Sequence, residues 1–96
     1  MVKDKVAIIT GSARGIGFEI GRIFAENGAK VILSDLNQGA VEEAALALRN
    51  KGLDVIGVKA DVTREDEIIQ LIEQTKRKFG RIDIFINNAG LQHVSP

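Results

Sequence analysis

Cysteine, tryptophan and tyrosine are absent from the 96 residues, proline occurs once, as Pro96, and histidine once, as His93. Without cysteine there is no disulfide and no thiolate metal site, and the redox compartment is left open. One histidine with no ligand cluster around it gives no metal site, so His93 reads as a plain loop residue. Charge of one sign is missing as well: 13 basic residues balance 13 acidic ones. No electrostatic footprint for nucleic acid is therefore expected, and no lysine or arginine cluster is long enough to imply an anionic membrane. Nor is there an apolar run of the length that a signal peptide or membrane span needs, because Met1-Val2-Lys3-Asp4-Lys5 leads straight into the first strand. A cytoplasmic protein is expected. What remains is the composition of a globular chain, 45% hydrophobic, in a length that suits one domain or part of one.

The stretch Thr10-Gly11-Ser12-Ala13-Arg14-Gly15-Ile16-Gly17 organises the rest. It follows the apolar run Val6-Ala7-Ile8-Ile9 and opens a segment in which Ile16, Ile20, Ile23 and Phe24 recur at helical spacing. A glycine-rich turn between strand and helix is where phosphates bind, since free N–H groups and the positive end of the helix dipole attract an anion. Gly11 suits the tight turn, Gly15 the close approach to a pyrophosphate, and Gly17 the close packing of helix on strand. Ser12 reads as a further phosphate contact.

Taken in order, the chain alternates. A first strand over Val6 to Ile9 is apolar throughout, as a central parallel strand is. The first helix runs from Gly15 to the stop signal Asn27-Gly28, and Gly17 and Gly21, one turn apart, give it a flat side for the sheet. A second strand, Val31-Ile32-Leu33, places Asp35 just past its end. Asn37 then caps a second helix with the stripe Val41, Ala44, Ala45 and Leu48. A third strand over Val55 to Val58 leads to Asp61-Val62. Thr63 and Asp66 form a capping-box pattern, with Asp in place of Glu, ahead of a third helix that carries Ile68, Ile69, Leu71, Ile72 and Phe79 and closes at Gly80. A fourth strand, Ile82 to Ile86, delivers Asn87-Asn88-Ala89-Gly90. The fold class that follows is α/β, a Rossmann-type doubly wound parallel sheet limited to its first four strands, in the order 3-2-1-4, with three helices. The glycine turn, Asp35, Asp61 and the Asn-Asn-Ala-Gly segment then converge on one edge, at the crevice where the chain reverses direction across the sheet.

The glycine spacing is not the usual Gly-x-Gly-x-x-Gly but Thr-Gly-x-x-x-Gly-x-Gly. In that form, with Asn87-Asn88-Ala89-Gly90 further on, the sequence resembles the short-chain dehydrogenase/reductase family over essentially its whole length. The resemblance implies NAD or NADP as cofactor, a small secondary alcohol or hydroxy acid as substrate, and a homo-oligomer for the full-length form. It makes Gly11, Ser12, Arg14, Gly15, Ile16, Gly17, Asp35, Leu36, Asp61, Val62, Asn88, Ala89 and Gly90 the cofactor-binding set. Asp35 would accept hydrogen bonds from the adenosine ribose hydroxyls and repel the extra phosphate of NADP, which favours NAD; its plain alternative is an acid at the entry to the next helix. Arg14 is the opposing signal, found in NADP-preferring relatives, or else a solvated side chain. Asp61 and Val62 would hold the adenine, with a helix-entry acid as the alternative reading of Asp61.

The family transfers its proton with a tyrosine four residues before a lysine, assisted by a serine, and this chain has no tyrosine. No catalytic residue is therefore assigned in it. Residues 1–96 read as the N-terminal, NAD-binding part of a single-domain enzyme, inactive alone. The tail Gly90-Leu91-Gln92-His93-Val94-Ser95-Pro96 is similar to that of the bacterial D-3-hydroxybutyrate dehydrogenases within the family, where the glutamine at the position of Gln92 helps hold the substrate carboxylate. Two rivals come from other classes. A non-catalytic nucleotide-binding module would keep the glycine turn and lack the tyrosine. A response-regulator receiver domain would need an acidic pair after its first strand, where Thr10-Gly11 stands.

Overall fold

The computed structural model describes residues 1–89. Four parallel strands, β1 (Val6–Thr10), β2 (Lys30–Asp35), β3 (Val55–Lys59) and β4 (Ile84–Ile86), lie in the order β3-β2-β1-β4. Three helices connect them: α1 (Gly15–Glu26), α2 (Gln38–Arg49) and α3 (Glu65–Phe79). The expected class and strand order are what is found. Among the described residues no helix is long and apolar enough to cross a membrane.

Every residue of β1 is buried, because strands flank it on both sides and helices cover both faces. Register is set by apolar alternation: Ile9 pairs with Leu33 and Ile86, and Ile8 with Ile32 and Phe85. Ile9, Val31, Leu33 and Val55 join the buried Val41, Ala44, Ala45 and Leu48 of α2 and Ala25 of α1 in one core. On the other face Val6, Ile8, Ile32 and Ala60 pack with Leu71 of α3. The expected flat side of α1 is present, with Gly17, Gly21 and Ala25 buried. A Cβ at Gly21 would stand 2.6 Å from Leu33 Cδ2, closer than two carbons can approach.

Several local expectations need correction. Ile16 and Ile23 keep the helical spacing of α1 but are 73% and 48% exposed. β2 is longer than its apolar centre, so Asp35 is its last residue, paired with Lys59, and does not lie beyond it. β4 is shorter than Ile82 to Ile86. The Asp83 carboxylate accepts the Val6 N–H at 2.9 Å, and the Asp83 N–H donates to the Val6 carbonyl at 2.9 Å, so a side chain occupies the place of a ladder partner and regular pairing starts at Ile84.

The capping box at α3 does not form. Arg64 is the N-cap and makes no side-chain capping bond. Asp61 captures Thr63 instead: its Oδ1 accepts from the Thr63 N–H at 3.0 Å and from Oγ1 at 2.6 Å, a local turn that competes with capping. The reach-back carboxylate is Glu67, whose Oε1 accepts the Asp61 N–H at 2.8 Å. Asn37 behaves as expected, its Oδ1 accepting the Ala40 N–H at 2.9 Å.

Candidate functional site

The C-terminal ends of the strands meet along one edge of the sheet, and the glycine turn crosses it. Gly11 and Gly15 both take positive φ, 60° and 66°, a region open to glycine without strain. Gly17 is needed for a different reason. A Cβ there would overlap the Gly11 carbonyl and come 2.6 Å from Asn88 Nδ2, so the start of α1 is pressed against the turn and against the end of β4. Among the described residues no side chain caps the start of α1, and no acid stands in its first turn. Such a helix end presents N–H groups and positive dipole to an anion. α3 begins quite differently, with Glu65, Asp66 and Glu67 in its first turn.

Thr10 ties the turn to the Asn-Asn-Ala-Gly segment. Its hydroxyl donates to Asn87 Oδ1 at 2.8 Å and accepts the Ala89 N–H at 3.1 Å. The Nδ2 of buried Asn88 donates to the Gly11 carbonyl at 3.0 Å. Sequence reasoning placed Thr10 in the motif but gave it no role; the available signal was a hydroxyl residue at the end of a strand whose neighbour also ends in amides.

A cleft of about 380 Å³ opens between these elements, lined by Gly11, Asp35, Leu36, Ala60, Asp61, Val62, Thr63 and Ala89. Of the expected cofactor-binding residues it gathers Gly11, Asp35, Leu36, Asp61, Val62 and Ala89, drawn from the ends of all four strands. Ala60 and Thr63 are additions: Ala60 is uncharged and belongs to no motif, and Thr63 reads in the sequence only as half of a capping box. Asp35 is not the acid that caps α2, since Asn37 does that. Its Oδ2 accepts the Ala13 N–H at 3.0 Å and its Oδ1 the Leu36 N–H at 2.8 Å. Thr63, through its hydroxyl and then its N–H, holds the Asp61 carboxyl below the usual aspartate range, so Asp61 is an anion at neutral pH and can accept from an amine. Leu36, 60% exposed, offers an apolar wall.

Arg14 and Gly15 do not line that cleft but an adjoining, shallower groove of about 600 Å³, together with Ala13, whose N–H Asp35 accepts, Phe18 of α1 and Ala40, Glu43, Ala44 and Ala47 of α2. Ser12 requires the clearest correction. Expected as a phosphate contact, it is fully buried, and its hydroxyl donates to the Ile9 carbonyl at 2.6 Å and accepts the Ser34 N–H at 2.9 Å. A hydroxyl spent on main-chain groups beneath the turn has no proton left for a phosphate. Gly90 and Gln92 lie outside the described residues.

A short chain dehydrogenase family model matches residues 5–96. An uncharacterized oxidoreductase of Bacillus subtilis, YxjF, is 46% identical over 95 residues, covering 99% of this chain and 37% of the relative. A CLA biosynthesis dehydrogenase/reductase of Lactiplantibacillus plantarum is 43% identical over 93% of this chain and 31% of its own. Among solved structures, a hydroxysteroid dehydrogenase from Escherichia coli superposes with a TM-score of 0.87 at 36% identity, covering 90% of this chain and 37% of that one. The chain thus spans about a third of the length of the relatives it matches.

Proposed function

The chain belongs to the short chain dehydrogenase family of oxidoreductases, and from that premise we propose that it is the NAD-binding part of an enzyme that oxidises a small secondary alcohol, 3-hydroxybutyrate in the first instance. The observation that carries the cofactor reading is the cleft in which Gly11, Asp35, Leu36, Asp61, Val62 and Ala89 stand together. It has the parts a dinucleotide needs. The uncapped, acid-free start of α1 suits the pyrophosphate, and the space that a Cβ at Gly17 would fill lets the turn come close. The carboxylate of Asp35 at the end of β2 suits the two ribose hydroxyls and disfavours a phosphate on either. Asp61, Val62 and Leu36 suit the adenine. When bound, the nicotinamide supplies the hydride acceptor; the chain's own residues bind, orient and select.

NAD in preference to NADP rests on Asp35 lining the cleft, where its carboxylate would meet the 2′ position directly, while Arg14 lines the adjoining groove. The substrate rests on the resemblance of the tail from Gly90 to Pro96, in which Gln92 is an amide close after the cofactor segment that can donate to a carboxylate without a charge of its own. The active form is proposed to be a full-length, cytoplasmic homo-oligomer in which residues 1–96 are the cofactor half of a single domain. The test is titration of the full-length protein with NAD and NADP, beside an assay of acetoacetate reduction by that same form. NAD should bind more tightly, and Asp35→Ala should narrow the preference by about tenfold, since two hydroxyl contacts and one repulsion are lost together. Equal binding of both nucleotides by the wild type rejects the NAD reading. Acetoacetate left unreduced rejects only the substrate.

A further inference from the structure

Two consecutive residues of the glycine turn are bonded to two consecutive residues at the end of β2. The Ser12 N–H donates to the Ser34 carbonyl at 3.0 Å, and the Ser12 hydroxyl receives the Ser34 N–H at 2.9 Å. The same hydroxyl donates back to the Ile9 carbonyl of β1 at 2.6 Å, with the Ser34 carbonyl a longer second acceptor at 3.3 Å. One residue on, the Ala13 N–H donates to Asp35 Oδ2 at 3.0 Å. All of the Ser12 and Ser34 bonds are buried, where each polar group depends on its partner because water cannot replace it. The side chain of Ser34 takes no part: among the described residues its buried hydroxyl has no hydrogen-bond partner.

On the reading that Asp35 selects NAD, we infer that Ser12 is a positioning residue for that selection. Pyrophosphate and adenosine ribose belong to one covalent ligand, so the turn that holds the first and the carboxylate that reads the second must keep a set spacing. Ser12 sets it by welding the turn to the main chain at Ser34, the residue before Asp35. Without the hydroxyl, the Ser12 N–H to the Ser34 carbonyl and the Ala13 N–H to Asp35 are what still join the turn to the end of β2, so the spacing between them is held less tightly. Contact with the ribose hydroxyls weakens, while a 2′-phosphate meets a carboxylate that can withdraw, and repulsion falls with distance. NAD should therefore lose more affinity than NADP does.

The experiment measures dissociation constants for NAD and NADP by titration of the protein as its gene encodes it, with thermal melting as the check on folding. Ser12→Ala should lower the NAD-over-NADP ratio by about tenfold, mostly through NAD. Ser34→Ala, which removes only the unpartnered hydroxyl, should leave the ratio as it is. In an Asp35→Ala background, Ser12→Ala should no longer change the ratio, because its effect acts through that carboxylate. If Ser12→Ala does not fold, Ser12→Cys, which keeps a weak donor and acceptor in place, should move the ratio in the same direction. Equal weakening of both nucleotides in the foldable variant, or a ratio that still shifts without Asp35, overturns the inference. A wild type that binds neither nucleotide overturns the cofactor reading itself, which is a different result from a wild type that binds NAD and a variant that keeps its ratio.

Discussion

On one face of the sheet α1 and α2 lie close because glycines stand at the contacts: a Cβ at Gly21 would meet Leu33 Cδ2 at 2.6 Å, and one at Gly57 would meet the Val41 carbonyl at 2.7 Å. On the other face α3 buries only Leu71 and Thr75, and the Thr75 hydroxyl is spent on the Leu71 carbonyl at 2.8 Å. Between α3 and β3 a gap of about 290 Å³ remains, lined by Ile56, Val58 and Thr75 with Gln74, Arg77 and Lys78 at its rim. Close approach thus depends on what is absent from the contact as much as on what is apolar. The difference extends to the helix ends. α1, on the tight face, begins with neither a side-chain cap nor an acid, whereas α3 begins with three acids and ends with Lys76, Arg77 and Lys78. Those charges complement the dipole of α3 and stabilise its ends, but they leave its start unsuited to a phosphate. The face packed most closely is the one that supplies the anion site.

Leucine truncation on the two faces should separate them most. Leu33 and Leu71 are both buried, yet Leu33→Ala would empty a site walled by main chain and glycine contacts that cannot collapse. It should cost about 4 kcal/mol, against about 2.5 kcal/mol for Leu71→Ala, where α3 can settle toward the sheet. Urea denaturation of both variants measures this, and equal costs would remove the contrast. A smaller effect comes from adding carbon. Gly57→Ala forces α2 away from β3 and should cost about 2 kcal/mol, while Val58→Ile grows into the gap under α3 and should be neutral to within about 1 kcal/mol. Matching losses would mean that the two faces are packed alike.

The smallest expected effect is at the junction of β1 and β4. Arg81, and then the Val6 N–H, hold the Asp83 carboxyl below the ordinary aspartate range. A depressed carboxyl adds stability that is fully present above the unfolded value, about 3.9, and is lost as pH falls through the folded one. Asp83→Asn should thus be less stable than the wild type at neutral pH and converge with it as pH falls through the lowered folded value of Asp83. Stability curves for the two proteins from pH 2 to 6 test this; parallel curves would show that Asp83 does not couple protonation to folding.

Much of the site could be read from residue order. Strand-ending acids and amides, placed after apolar runs, had to emerge at the C-terminal edge of a parallel sheet, and Asp35, Asp61, Val62 and Ala89 do so. Ser12 was misread because its small hydroxyl in a glycine turn has a local meaning, phosphate, and a distant one, the main chain of Ser34, 22 residues away.

Within a turn or a strand, neighbours in sequence are neighbours in space. The sequence by itself therefore determined the periods, the stops at Gly28 and Gly80, the glycines that allow close approach and the charge at each helix end. Which hydroxyl turns inward, where Asp83 replaces a ladder bond, and which groove receives Arg14 were decided only by the tertiary structure. Each depends on the register between segments far apart in the chain, and a shift of one residue would hand every one of those bonds to a different partner.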